Sequence, residues 1–140
     1  MLGVMCPQCS GQDVEEKLMN KHDSPVKRSL IESENVREFL DGSSRSSESL
    51  RNAAVGLGTY KPGWRWSLHV GAQTGKPSEN HIGYVLSGKF RVRSPSGEEL
   101  VVGPGEAFEL SAGSDAWVDG EEPCVALDFL SYTAHQAIKT

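Results

Sequence analysis

The sequence predicts an all-β fold, a small antiparallel barrel, on three observations. Short runs alternate with a period of two: Phe90 and Val92 interleave with Lys89, Arg91 and Arg93, so one face is buried and the other wet. Turn residues separate the runs, with 15 glycines and 7 prolines in 140 residues. The residues within the runs are Val, Ile, Tyr and Phe, which suit a pleated surface. Spacings of this kind, with a turn after each short strand, belong to a barrel or jelly roll.

The stretch His81–Gly88 followed by Lys89–Arg93 is the centre of the pattern: a strand, a glycine bend and a second strand. Val101–Leu110 supplies another strand pair around Pro104-Gly105. Before these, Ala53–Tyr60 reads as a glycine-punctuated strand, and Lys61-Pro62-Gly63 turns the chain. Trp64–Val70 then alternates strictly and is expected as a strand, with Trp64, Trp66, Leu68 and Val70 on one face and Arg65, Ser67 and His69 on the other. Two placements are open. Either the indoles face inward and His69 outward, or the indoles are covered from outside and His69 faces in. Gly71–Asn80 is a loop, and Ser94–Gly97 and Gly120–Pro123 are turns. Ser114–Val118 and Cys124–Leu130 complete the strands.

Residues 1–48 are expected as an N-terminal arm, 49–132 as the barrel and 133–140 as a tail. Within the arm, Asp13–Asn20 has Val14 and Leu18 four apart, enough for about two helical turns. Ser33–Leu40 reads as a short helix capped by Ser33, with Val36, Phe39 and Leu40 facing the body. Gly42–Ser49 reads as a polar, mobile serine-rich loop. Cys6 and Cys9 have the spacing of half a zinc knuckle, but the chain offers no second pair to complete four ligands. Incidental terminal thiols are the simpler reading; a zinc shared between chains or redox chemistry are the others.

Totals exclude several classes of function. A net charge of −5 argues against a nucleic-acid backbone as partner. No apolar run approaches the ~18 residues of a membrane span, and no signal-peptide pattern opens the chain. Three cysteines, Cys6, Cys9 and Cys124, form no disulfide framework, so the expected setting is the reducing cytoplasm. There is no phosphate-binding glycine loop, nucleophile elbow or His-Glu-x-x-His.

From about Val55 to Phe129 the chain resembles the cupin superfamily, which implies a cupin-type double-stranded β-helix. In the first cupin motif, Gly88 stands at the closing glycine and His81 where the family places its Glu. The two motif histidines would fall at Thr74 and Lys76, or Gly75 and Pro77. In the second motif Gly105 and Gly113 fit, while Ser111, Ala116 and Gly120 replace the proline, histidine and asparagine. Pro62–Ser67, His81–Gly88 and Asp115–Val118 are similar to a narrower group of small cupin-domain proteins. There a His often precedes Asp-Ala-Trp-Val and a Cys precedes the motif-one His; this chain has Ser114 and Ser78 near those places.

The resemblance implies that His81, Gly83 and Val85 point inward. The candidate lining of a ligand site is His81, Tyr84, Asp115, Trp117, Trp64 and Trp66, with His81 as polar contact and the indoles as apolar walls. The plainer readings stand beside these: His81 as a hydrogen-bonded interior histidine, Asp115 as a binder of turn amides, the aromatics as core. The expected function is small-molecule binding or sensing in the barrel of a homodimer, over a degenerate metal site. The rival is a metal-dependent oxygenase or isomerase in which a divalent transition metal is held by His81 with His69 or a carboxylate.

Overall fold

The computed structural model describes residues 23–131. The expected helix at Asp13–Asn20, the Cys6 and Cys9 thiols, and the tail 133–140 lie outside them. Among the described residues nine strands follow in chain order: β1 (Val36–Glu38), β2 (Ser44–Ser49), β3 (Ala53–Tyr60), β4 (His81–Ser87), β5 (Phe90–Arg93), β6 (Glu99–Val102), β7 (Ala107–Leu110), β8 (Asp115–Val118) and β9 (Cys124–Ser131). They form two antiparallel sheets, one ordered β1-β2-β3-β9-β4-β7 and the other β6-β5-β8. The two sheets give the expected jelly roll.

Strand alternation sets the core. Val85, Cys124 and Ala126 project from the larger sheet, and Phe90, Val92, Val102 and Val118 from the smaller; all are buried. Register aligns these positions, with Val85 opposite Ala126 across β4 and β9, and Phe90 between Val102 and Val118. On the solvent face of β5, Arg91 lies 3.6 Å from Glu99 and 3.5 Å from Asp119, so the basic stripe pairs with neighbouring carboxylates. Burial pushes the Cys124 thiol up to about 12, which keeps it protonated inside the core. A bulge between Val85 and Ser87 bends β4 into the turn at Gly88. Gly88 has φ 74°, and a Cβ there would meet the Pro123 carbonyl oxygen at 2.2 Å, so only glycine fits.

Three local expectations change. The Ser33–Leu40 segment is not a helix. Ser33 Oγ accepts the Asn35 N–H at 3.0 Å but also donates to the Ser47 carbonyl at 3.2 Å and bonds Glu48, tying the chain beside β2 in extended form. Phe39 is buried there, whereas Val36 and Leu40 are exposed. The serine-rich stretch is not a loop but strand β2, paired along its length with β3 from Ser44↔Thr59 to Ser49↔Ala54. Strands β1 and β2, which but for Ser49 fall in the stretch expected as an arm, thus extend the larger sheet.

The third change lies at Trp64–Val70, which is not a strand. Ser67–Gly71 forms a π-helical turn that runs into an α-helical turn at Ala72–Thr74. No side chain of the segment itself caps its start. Asp115 on β8 does so instead, accepting the Ser67 N–H at 3.0 Å and the Ser67 hydroxyl at 2.8 Å. A cap supplied by a distant strand satisfies the amides that a helix start leaves orphaned, and overrides the strand pattern.

Candidate binding cavity

The inner face of the larger sheet changes character along its width. On β4 and β9 near Gly88 it carries the core residues. Further along those two strands it carries Asp128 and His81, which with Arg37, Arg45, Ser47, Ala54 and Gly56 on β1 to β3 line a cavity of about 380 Å³. Small residues create the space. Gly56 makes room for a neighbour, since a Cβ there would crowd Arg45 Cδ at 3.2 Å; beside the cavity, a Cβ at Gly58 would overlap the Tyr60 hydroxyl at 2.2 Å.

Aromatic rings from both sheets and the segments beside them complete the lining. Tyr60 and Trp64 have ring centroids 4.4 Å apart, Tyr60 and Phe90 5.2 Å, and Trp64 and Phe90 5.9 Å. Phe39 stacks on Tyr60 at 6.1 Å. The helical turn and the loop behind it add Thr74 and Lys76–Asn80 to the lining. That loop is fastened at its far end, where the Ser78 hydroxyl donates to the Ser114 carbonyl at 2.6 Å and the Asn80 side chain accepts the Ala112 N–H at 2.8 Å.

One polar cluster interrupts this surface. Asp128 on β9 accepts a hydrogen bond from the Arg45 guanidinium at 2.9 Å through one oxygen. Its other oxygen lies 3.6 Å from His81 Nδ1, too long for a hydrogen bond but close enough to attract an imidazolium. All three side chains are partly buried, at 19–30% exposure. Arg45 also meets the Tyr60 hydroxyl. Burial opposes the charge on Arg45, yet Tyr60 and Asp128 together raise its pKa. Burial, reinforced by Asp128, also raises the Tyr60 phenol well above its ordinary range, although Arg45 works against this.

The predicted lining residues divide. His81, Trp64 and Trp66 line the cavity. Tyr84 does not, because it follows His81 by an odd number of residues and the pleat sends it to the outer face, 37% exposed. Asp115 is engaged in capping the helical turn and in an ion pair with Arg65 at 2.8 Å. Burial alone would raise its carboxyl; the bonds from Arg65, Ser67 and Ala116 outweigh it and lower the pKa. Trp117 packs under the Arg65 guanidinium at 4.2 Å, away from the cavity. His69 does not join His81: its Nδ1 accepts the Arg65 backbone N–H at 3.0 Å within the helical turn. Sequence reasoning missed Arg45 and Asp128. Asp128 carried a signal, as a carboxylate in phase with buried Cys124 and Ala126; Arg45 in a serine-rich stretch carried none.

No family model matches the chain, and no curated protein matches it. Solved structures do. KdgF from Halomonas superposes with a TM-score of 0.57 at 20% identity, over 77% of this chain and 94% of that one. A cupin-superfamily sugar phosphate isomerase from Silicibacter pomeroyi gives 0.57 at 19%, over 76% and 75%. An RmlC-like cupin from Shewanella frigidimarina gives 0.56 at 15%, over 77% and 91%.

The chain has the cupin fold.

The transition metal that this resemblance implies does not fit the residues of the cavity. Among the described residues no three His, Cys, Asp or Glu side chains are grouped to hold an ion. Ser78 and Ser114 bond each other and offer no thiolate or imidazole. Asp128, the carboxylate 3.6 Å from His81, is already held by a guanidinium, a fixed cation that would repel a metal ion at that point.

Proposed function

We propose that this cupin-fold chain is a small-molecule binding module, used for sensing or regulation, whose ligand enters the cavity between the sheets. The observation that carries the reading is the cavity itself: about 380 Å³, ringed by aromatic side chains, with one polar cluster converging on it. Binding sites for small molecules have this size and this ratio of apolar wall to placed polar groups. The aromatic wall supplies contact area, and His81, Arg45 and Asp128 fix orientation. A homodimer with the outer faces of β4 and β9 at its interface is supported by exposed Ile82, Tyr84, Leu86 and Phe129. A cytoplasmic setting suits the unpaired Cys124; among the described residues no helix is long and apolar enough to cross a membrane.

A fragment screen read by ¹H–¹⁵N NMR tests the proposal. Binders are expected to shift the indole signals of Trp64 and Trp66. Ala54→Phe, which fills the cavity from β3, should abolish those shifts while leaving the rest of the spectrum in place. Fragments that bind equally well to the filled variant would move the site elsewhere.

A further inference from the structure

The cavity is built with more hydrogen-bond donors and positive charge than it can use. Its ionisable lining is Arg37, Arg45, Lys76, Glu79, His81 and Asp128, cationic on balance in a chain whose net charge is −5. Asp128 is taken up between Arg45 and His81. Arg45 has five N–H donors in its fork, of which one serves Asp128 and another meets the Tyr60 hydroxyl. Arg37, exposed on the edge strand β1, holds its guanidinium 5.5 Å over the Phe39 ring and has no carboxylate partner among the described residues. Trp64 Nε1, at the inner wall, is buried without an acceptor. The buried indole N–H is costly unless something supplies an acceptor.

We infer that the ligand is a small organic anion, a carboxylate with an apolar ring body, whose charged end meets Arg37 beside the Arg45–Asp128 pair. Arg37 is the specificity-determining residue, because it brings a cation to the cavity that the protein itself leaves without a counter-charge. A guanidinium presents paired N–H groups that match the two oxygens of a carboxylate. Phe39 holds that guanidinium over its ring and packs in turn against Tyr60 and Trp64, so the charge sits beside the aromatic lining that would hold the ligand body. The inference rests on the cavity being a binding site, and adds the chemistry that it selects.

A charged probe and its neutral isostere separate the two ideas. 2-Naphthoate and 2-naphthamide would be titrated into the full chain and followed by ¹H–¹⁵N NMR. Naphthoate is expected to bind about tenfold more tightly, the scale of a hydrogen bond to a charged group. Arg37→Ala should remove that preference by weakening naphthoate more than naphthamide, and Arg37→Lys should restore part of it. Equal affinity of the two probes for the natural chain overturns the anion inference and leaves the cavity reading standing. A preference that survives in Arg37→Ala overturns the role of Arg37. Binding of neither probe overturns the cavity reading and this inference together.

Discussion

The two halves of the space between the sheets are made from the same strands and differ in what their inner faces hold. Where β4 and β9 face β5, β6 and β8, Val85, Val92, Val102, Val118, Cys124 and Ala126 close the interior. A few residues further along the same strands, His81 and Asp128 join Arg45, Gly56 and Ala54 around open space. The filled half obeys the packing rule of protein interiors, which leave few voids. The hollow half departs from it while keeping the backbone ladder intact, from Ser44↔Thr59 to Ala53↔Ser131. Backbone pairing therefore carries the hollow half, and side-chain packing the filled one.

The contrast is sharpest between two inward-facing alanines. Ala126 is 2% exposed and packed in the core, whereas Ala54 lines the cavity. Ala126→Leu should cost about 2–3 kcal/mol in urea unfolding, since overpacking a filled core forces strain. Ala54→Leu should change stability by less than about 0.5 kcal/mol, as expected where a substitution forces no overpacking. Equal costs at the two sites would erase the distinction between the halves.

The hollow half depends next on its ion pair. Asp128→Asn leaves the Arg45 guanidinium without its counter-charge and is expected to cost about 1–2 kcal/mol, less than a fully buried pair because both side chains keep some solvent contact. Denaturant titration of Asp128→Asn, Arg45→Met and the double variant measures the coupling. If the double variant is as unstable as the sum of the singles, the pair contributes nothing to stability.

The smallest effect concerns the cap that Asp115 provides. Its folded carboxyl titrates below the ordinary value of 3.8, so its contribution is fully present above that pH and disappears as the pH falls through the folded value. Thermal melts between pH 5 and pH 2 should show a decline that Asp115→Asn makes shallower, by less than about 1 kcal/mol. An unchanged acid slope would remove the carboxylate from the account of the helical turn.

The same division explains what could be read in advance. Strands β3 to β9 were legible because each has an apolar face against a core or a turn signal at its end. Strand β2 was not, because its inward residues Arg45 and Ser47 face a cavity and its outward ones face solvent, so neither side is apolar. The helical turn at Ser67–Thr74 was hidden because alternation of Trp64, Trp66, Leu68 and Val70 mimics a strand, while its cap comes from Asp115 on β8. His81, Trp64 and Trp66 could be nominated as cavity residues from type and motif position. Their partners Arg45 and Asp128 could not be joined to them, being 83 positions apart.

Sequence alone determined where most of the chain turns and which faces of most strands are apolar, since glycine, proline and period-two alternation act over a few residues. Tertiary structure decided the rest: that a polar segment pairs as a strand, that a strand-like segment coils, and that one arginine, one aspartate and one histidine meet. Those outcomes are set by backbone ladders and charges that find each other across the fold, and no local window of residues contains both partners.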